Sequence, residues 1–499
     1  MRRSLVADSA SGVADPESAH RMSSFISRGA VLASARLLNQ ALALLSPLLL
    51  VRLLDIVEYG RYRQFVSVAL LVTSIGGFAL TANLTYLLAR TPERAATDIT
   101  KTVWLLFCVS VVSALFVVVF HVWLVPAEIA DSWWLLALYV FMFLNLEVVV
   151  AYWLAQRRSI EVMQYTLVVT VWRLATLLGT ALYFRDVYMI FVAIVCAETV
   201  KNVAIYLWLR ARGLLVFRWD SDALREQVRL VTPLGLGSIL NKANEFGRVV
   251  VGTQMGPVPM AIYTTAHYQV PLVNIVQTSL SDVIFPDLVK RAQKDPAEGL
   301  RLWKRAQMMV AAVIIPAWLL LSYFAEPLIR LAFTDEYASA TPYFQVFMIL
   351  MVRQVFQFST LLRSVEDNAS FATSNAVALG INIVLLVALM PKFGLWGPTL
   401  GLVVGQLWTA WYLGKRVMTR YNVPLSGIFQ WRKFGLSLAA SGLALAVMHG
   451  TMSVMPDGFV SALVGLGIFV AVYVIAARFI LREEYGYVVR AFTRRRQAA

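Results

Sequence analysis

Long blocks of apolar residues divide this 499-residue sequence, and they restrict its fold more than any other feature. Val103–Val125 and Phe459–Ala477, for example, contain no Asp, Glu, Lys or Arg. A run of about 18 or more apolar residues with almost no charge is typical of a helix that crosses a membrane. Only 15% of the residues are charged, against about 25% in soluble domains. The sequence therefore predicts an all-α, polytopic membrane protein.

The apolar blocks predict fourteen transmembrane helices, which we call spans one to fourteen. Spans one, seven and eight are the least regular, because charges and amides interrupt their apolar pattern. The predicted spans cover residues 29–51, 64–88, 102–124, 133–155, 160–184, 188–209, 230–253, 261–285, 306–330, 342–363, 370–390, 395–414, 434–454 and 459–481.

The distribution of basic residues predicts the orientation of these spans. Most of the 44 Lys and Arg residues fall in alternate connections and in the two tails, whereas the intervening connections contain few. Short loops rich in Lys and Arg stay in the cytoplasm. Both termini are therefore predicted to be cytoplasmic, and connections such as 52–63 and 254–260 are predicted to lie outside.

A weak internal repeat divides the spans into two lobes. Asp55–Tyr62 joins spans one and two, and Gly256–Tyr263 joins spans seven and eight, each with a small residue two positions before a Tyr. Repeats of this kind are common in transporters. The predicted units are a flexible cytoplasmic tail (1–28), an N-lobe (29–209), a cytoplasmic linker (210–229), a C-lobe (230–414), two extra helices (434–481) and a basic cytoplasmic tail (482–499).

Several functional classes do not fit this sequence. The two cysteines and four histidines are scattered without metal-ligand spacing, and there is no phosphate-binding Gly-rich loop. No predicted outer connection is long enough to fold a catalytic domain. We therefore predict no catalytic residues, no metal and no cofactor, and a protein that is not an enzyme. The net charge of +15 is assigned to topology and to membrane lipids rather than to nucleic acid.

Three segments resemble the polysaccharide flippases of the multidrug/oligosaccharidyl-lipid/polysaccharide (MOP) superfamily. Leu53–Tyr62 is similar to the turn after their first helix, and Asn241–Pro286 is similar to their seventh and eighth helices. Asn382 with Met390–Pro398 is similar to the turn between their eleventh and twelfth helices. The sequence departs from the family pattern at Asp55 and Pro398, where Gly and Ala are usual.

This resemblance implies a Wzx-type function. Such a protein moves a polyprenyl-pyrophosphate-linked oligosaccharide repeat unit across the bacterial inner membrane for O-antigen, capsule or exopolysaccharide biosynthesis. It works by alternating access of two six-helix lobes, with two extra helices beside them, and acts with polysaccharide polymerase machinery. The alternative within the superfamily is a MATE-like, cation-coupled exporter of small molecules or drugs.

The charged residues inside the predicted spans form the candidate site. A charge in the membrane costs free energy, so such residues usually have a functional or structural role. Arginine suits a pyrophosphate head group, since it binds phosphate in a bidentate manner and stays charged. The predicted substrate-binding cations are Arg36, Arg173, Lys242, Arg248 and Arg353. The remaining candidates, for ion coupling or for structural ion pairs, are Glu147, Glu198, Lys201 and Glu245.

Structural explanations stand beside several of these assignments. Glu198 and Lys201 are three residues apart, as are Lys242 and Glu245, and each pair could neutralise itself on one helix face. Arg36 lies near a helix end, from which its side chain could extend to the membrane surface. His267, with Asn274 and Gln277, could contact sugar hydroxyls or hydrogen-bond a neighbouring helix. Arg173 and Arg353 have no partner nearby in the sequence.

Overall fold

The computed structural model of this chain is built from α-helices joined by short connections. It describes residues 42, 45–77, 80–143, 148–156, 158–216, 225, 227–228, 243–268, 288–292, 294–365, 367–456 and 458–480. Over these residues it contains α-helices, short 3-10 helices and no strand. The prediction of an all-α, polytopic fold is confirmed.

Helices of the N-terminal part follow a helical stretch at 45–53. They are α1 (Ile56–Gly76), α2 (Leu80–Arg90), α3 (Ala95–Leu124), α4 (Trp133–Phe143), α5 (Val148–Ala155), α6 (Ser159–Phe184) and α7 (Val187–Ala211). The C-terminal part contains α8 (Ala243–Met255), α9 (Pro257–Ala266), α10 (Pro296–Tyr323), α11 (Ala325–Phe333), α12 (Thr341–Val355), α13 (Phe358–Arg363), α14 (Asn368–Phe393), α15 (Trp396–Tyr421), α16 (Leu425–Ile428), α17 (Trp431–Met452) and α18 (Phe459–Ile480).

Within the described residues, 9 helical segments are long and apolar enough to cross a membrane. They coincide with predicted spans three to six, nine to eleven, thirteen and fourteen. Span two corresponds to α1 and α2 together, and span twelve to α15. Only parts of spans one, seven and eight belong to the described residues, so the predicted total of fourteen stays a prediction.

Several helices extend beyond the predicted span boundaries, and α1 and α10 begin furthest before them. Span two was expected to begin at residue 64, but α1 begins at Ile56 because the Asp55 carboxylate caps it by accepting a hydrogen bond from the Glu58 N–H at 2.8 Å. Span nine was expected to begin at residue 306, but α10 begins at Pro296, where Asp295 caps the helix in the same way. In both cases a polar first turn extends an apolar helix beyond the membrane-spanning part.

The connections predicted to lie outside meet at one end of the helix bundle. The Arg52 guanidinium donates to the Leu331 carbonyl at 2.7 Å. The Glu58 carboxylate accepts from the Val187 N–H at 3.2 Å. We call this region, formed by residues 52–62, 126–132, 185–187, 256–260 and 331–340, the outer end. Its packing is consistent with the alternation of loops from which the orientation was predicted.

The two predicted lobes touch at the outer end through α1 and α9. An added methyl group at Gly60 would lie 2.1 Å from the Pro257 carbonyl oxygen, so only glycine permits this approach. Next to it, the Gln64 amide donates to the Gly252 carbonyl at 2.8 Å, and the Tyr59 ring lies 6.0 Å from the Tyr337 ring. The two segments of the weak repeat, Asp55–Tyr62 and Gly256–Tyr263, therefore pack against each other.

Helices α14 and α15 approach each other equally closely along a stripe of small residues. Added methyl groups at Gly397, Gly401 and Gly405 would lie 2.5 to 2.8 Å from backbone atoms of α14. The GxxxGxxxG pattern of these residues is typical of closely packed membrane helices, and α15 makes such a contact here.

The last two helices, α17 and α18, pack on each other and on α10. The Tyr473 hydroxyl donates to the Ala312 carbonyl at 2.8 Å and lies 3.0 Å from the Ser437 hydroxyl. Nearer the outer end, the Tyr323 hydroxyl lies 2.7 Å from Nδ1 of His449. The pair is thus tied to α10 by side chains at two levels.

The contact at Gly60 generates a first prediction. Gly60→Ala should destabilise the packed outer end by about 1–3 kcal/mol, because the new methyl group overlaps the Pro257 backbone. Opening of the outer end can be measured in a chain in which Cys108 and Cys196 are replaced by Ala and the buried Ala261 is replaced by Cys. In the Gly60→Ala variant of this chain, labelling of the new cysteine by a membrane-impermeant maleimide should become about tenfold faster or more.

Gly179→Ala is the matched control, since nothing lies within 4 Å of the added methyl group. Equal labelling rates in the Gly60→Ala and Gly179→Ala chains would show that the Gly60 contact does not hold the outer end closed.

Candidate functional site

A cavity of about 320 Å³ lies among α1, α4, α6 and α7. Its walls combine apolar and aromatic side chains with three charged ones. The charged residues are Arg173, Glu198 and Lys201, and Tyr62, Tyr139 and Phe143 line the wall beside them. All of these helices belong to the predicted N-lobe.

The Glu198 carboxylate lies between two cations. Its Oε1 accepts from Nη2 of Arg173 at 2.7 Å and from Nε at 3.2 Å, and its Oε2 pairs with the Lys201 ammonium. The Glu198 and Lys201 side chains are each only 6% exposed, whereas the Arg173 side chain is 44% exposed. The three side chains carry one net positive charge, and Arg173 presents it to the cavity.

This triad has a partly local origin. Glu198 and Lys201 are three residues apart on α7, and they form the pair that this spacing predicts. Arg173 has no partner on its own helix, but the packing of α6 against α7 brings it to Glu198. Helix α7 is held in place by Asn202, whose amide donates to the Met142 carbonyl at 2.6 Å. The Arg173 guanidinium also lies over the Phe143 ring, 5.5 Å from its centroid.

Arg248 is placed beside a histidine of the next helix. Its Nη2 lies 3.4 Å from Nδ1 of His267, which can accept this hydrogen bond only in the neutral imidazole form. The His267 ring stacks on Phe347 at 4.4 Å, and Tyr263 meets Phe347 edge-on at 5.7 Å. Of the two uses that the sequence left open for His267, the structure shows a contact with a neighbouring helix.

Arg63 is a cation that the sequence analysis missed. It was assigned to an outer connection because span two was predicted to start one residue later. Since α1 begins at Ile56, Arg63 lies two turns inside a helix, and its half-buried side chain has a buried Nε with no hydrogen-bond partner among the described residues. The Asp55 capping position was the signal that could have revealed this helix start.

Two tyrosines lie near these cations. Tyr62 lies near both Arg63 and Arg173, and Tyr59 lies near both Arg63 and Arg248. We call Arg173, Arg63 and Arg248 the cationic band. It runs from the cavity of the predicted N-lobe, along α1, to α8 of the predicted C-lobe.

Arg353 lies in the last turn of α12, close to a break in span ten. The span was predicted as one helix over 342–363, but the helix ends at Val355 and restarts at Phe358. The Nε of Arg353 is buried and has no hydrogen-bond partner in the described part of the chain. Interrupted helices in transporters place backbone polar groups and charges beside a binding site.

The other predicted site residues cannot be placed. Arg36, Lys242, Glu147 and the polar residues Asn274 and Gln277 lie outside the described residues. Glu245 belongs to α8, but its side chain is also outside the described part. The described helices therefore group Arg173 with the Glu198–Lys201 pair and place Arg63 and Arg248 near one tyrosine, whereas Arg353 lies at a helix break.

This arrangement of charges is suited to binding an anion. Five cations and one carboxylate occupy these sites among the residues that the structure describes: Arg63, Arg173, Lys201, Arg248 and Arg353 against Glu198. Fixed cations in a low-dielectric region attract a negatively charged group more strongly than they would in water. Fold and site together define an all-α, polytopic membrane protein with a cation-lined cavity.

The chain belongs to a known family. Residues 49–342, more than half of its length, match the family described as polysaccharide biosynthesis protein. The sequence matches none of the curated proteins with which it was compared.

Solved structures of MOP superfamily proteins share its fold. The lipid II flippase MurJ in an inward closed conformation aligns with a TM-score of 0.62 at 12% identity, covering 90% of this chain and 99% of that chain. An inward-facing multidrug resistance MATE transporter aligns with a TM-score of 0.54 at 13% identity, covering 78% and 99%. A MOP superfamily transporter from Pyrococcus furiosus aligns with a TM-score of 0.53 at 14% identity, covering 79% and 95%. At these identities the likeness establishes the fold alone.

The triad generates a second prediction. Glu198→Gln should lower the free energy of unfolding in mixed micelles by about 3–5 kcal/mol, because it leaves buried Lys201 without its counter-charge. Glu161→Gln, which removes a carboxylate 3.8 Å from exposed Arg158 on α6, is the control and should cost less than about 1 kcal/mol.

A second substitution checks the cause. Lys201→Met in the Glu198→Gln chain removes the uncompensated cation and should restore part of the lost stability. If Glu198→Gln is no more damaging than Glu161→Gln, the carboxylate does not hold α6 and α7 together.

Proposed function

We propose that this protein is a flippase for a polyprenyl-pyrophosphate-linked oligosaccharide repeat unit. In this proposal it carries the unit across the bacterial inner membrane, with both of its own termini in the cytoplasm. The product would be used for O-antigen, capsule or exopolysaccharide biosynthesis, by polysaccharide polymerase machinery. Membership of the polysaccharide biosynthesis protein family supports this class of cargo.

The cationic band is the observation that carries the proposal. A pyrophosphate head group brings negative charge into a low-dielectric layer. Arg63 and Arg248 lie near Tyr59, where the two predicted lobes meet, and Arg173 lies in the neighbouring cavity of the predicted N-lobe. Arginine can bind such a group through two parallel N–H donors without losing its own proton. The half-exposed guanidinium of Arg173 is the member that faces a cavity.

The alternative, a cation-coupled exporter, fits the same cavity less well. Such a transporter needs a carboxylate that is available to bind a proton, a metal ion or a cationic drug. Glu198 is the carboxylate of this cavity in the described part of the chain, and its two oxygens already accept from Arg173 and Lys201. A site with one net positive charge favours an anionic cargo.

In this proposal, the membrane potential is sufficient to drive net transport of the cargo outward. An inside-negative potential favours the outward movement of negative charge by about 2.3 kcal/mol per charge for each 100 mV. Alternating access would then require the outer end, which is packed in this structure, to open while the opposite side closes.

Deletion of the gene tests the cargo. In a strain without a second flippase, loss of the protein should stop export of the surface polymer and cause its lipid-linked repeat unit to accumulate on the inner leaflet. Normal export without such accumulation would refute the flippase assignment. Loss of efflux of a fluorescent cation, with the polymer unaffected, would establish the alternative.

A third prediction concerns individual cations. Arg173→Gln should reduce transport of a fluorescent polyprenyl-pyrophosphate sugar in proteoliposomes by about 10- to 100-fold, the effect of losing one charge-assisted hydrogen bond. The variant should remain folded, because the Glu198–Lys201 pair stays neutral without Arg173. Arg63→Gln and Arg353→Gln should reduce transport in the same way.

Lys415→Gln is the matched control. This exposed lysine of α15 contacts the Trp411 ring at 5.6 Å and lies outside the cavity, so its loss should leave transport unchanged. If Arg173→Gln and Arg63→Gln transport as well as Lys415→Gln at equal protein levels, the cationic band does not bind the cargo.

A further inference from the structure

A second, strongly basic pocket lies between the first turns of α17 and the N-terminal part of α10, far along the chain from the cationic band. Its volume is about 590 Å³. Five of its nine lining residues are cations, and no carboxylate lines it within the described part of the chain. The lining consists of Arg301, Lys304, Arg305, Ser426, Phe429, Gln430, Trp431, Arg432 and Lys433.

The positions of these cations show that they are gathered on one site. Arg301, Lys304 and Arg305 are three and four residues apart, so they share one face of α10. Arg432 and Lys433 belong to the first turn of α17, where the helix dipole disfavours positive charge. Among the described residues, the Asp295 carboxylate lies 3.6 Å from Arg301, with both side chains exposed. An anion in the pocket would relieve this repulsion.

Aromatic packing gives the pocket a fixed floor. Trp431 stacks on Phe356 at 5.6 Å, and its indole N–H donates to the Leu425 carbonyl at 2.7 Å. Buried Trp303 stacks on Phe358 at 5.1 Å and contacts Phe429 edge-on at 6.2 Å. The cations therefore project from a packed surface and not from mobile loops.

Two further polar features point to the kind of ligand. No side chain caps the N-terminus of α17, so the backbone N–H groups of its first turn are available to an anion. Ser426 and Gln430 add neutral polar side chains to the lining, which suit a head group that has hydroxyls next to its phosphate.

We propose that this pocket binds the phosphate head group of an anionic, hydroxyl-bearing phospholipid of the cytoplasmic leaflet, of which phosphatidylglycerol is the simplest example. The cations and the first turn of α17 bind the phosphate, and the polar side chains of Ser426 and Gln430 face the head-group hydroxyls. Basic pockets between transmembrane helices on the cytoplasmic side are suited to such head groups. The proposal is independent of the cargo that the protein transports.

The bound lipid would act as a bridge between two helices. Arg301, Lys304 and Arg305 belong to α10, whereas Arg432 and Lys433 belong to α17. A phosphate between them would therefore hold the two extra helices against the predicted C-lobe at its cytoplasmic side. The hydroxyl contacts of Tyr473 and Tyr323 hold the same helices at other levels.

Native mass spectrometry of the full-length protein tests the proposal. Protein is taken from nanodiscs that contain phosphatidylcholine with or without phosphatidylglycerol, and the fraction that retains each lipid is measured. Wild type should retain phosphatidylglycerol selectively. Lys304→Gln with Arg432→Gln should lower its apparent affinity about thirtyfold, from the loss of two cations near the membrane surface.

Lys290→Gln with Lys294→Gln is the matched control, because both lysines are exposed, belong to the same predicted cytoplasmic segment and lie outside the pocket. Equal loss of phosphatidylglycerol in both double variants would overturn the proposal. So would equal retention of phosphatidylcholine, or stabilisation by inorganic phosphate in phosphatidylcholine nanodiscs to the same extent as by phosphatidylglycerol. Preferential retention of polyprenyl pyrophosphate over phosphatidylglycerol would also overturn it and assign the pocket to the cargo.

A measurement on the wild type covers the case in which the variant fails to fold. A photoreactive phosphatidylglycerol should label peptides that contain 301–305 and 426–433, and a photoreactive phosphatidylcholine should not. Labelling of these peptides by both analogues to the same extent would refute the assignment.

Discussion

The ion triad around Glu198 determines much of how the N-terminal helices are arranged. A charge inside a membrane is costly unless it is paired, and Glu198 and Lys201 are both buried. The Glu198 carboxylate pairs with Lys201 within α7, and it also pairs with Arg173 of α6. Two cations share one carboxylate, so the triad keeps one net positive charge. It therefore links α6 to α7 and is also a source of positive potential. The cavity at Arg173 therefore has a positively charged wall.

The outer end has a comparable effect on the relation between the lobes. The missing side chain at Gly60 lets α1 approach the Pro257 backbone, and this approach brings the start of α1 next to α8 and α9. Arg63 and Arg248 thereby come within electrostatic range of the same tyrosine, Tyr59. The absence of a side chain at Gly60 thus brings two cations from different parts of the sequence close to the same tyrosine.

Local patterns in the sequence predicted a large part of this structure. Apolar blocks located most of the described spans, and the glycine stripe of α15 predicted its close contact with α14. The spacing of Glu198 and Lys201 predicted their pairing. Hydropathy failed at helix starts, because the first turns of α1 and α10 are polar and are fixed by capping at Asp55 and Asp295. For this reason Arg63 was assigned to a loop, and the break in span ten after Val355 had no hydropathy signal either.

Sequence alone determined the class of protein, since the cost of exposing a polar backbone to lipid forces long apolar segments into helices whatever surrounds them. It also determined which charges needed an explanation. Only the tertiary structure decided which of those charges meet: Arg173 with Glu198, Arg248 with His267, and the cations of α10 with those of α17. The physical reason is the sequence separation over which each interaction acts. Burial and capping depend on residues a few positions apart and can be recognised in the sequence. Ion pairs and pockets form between helices that only packing brings together.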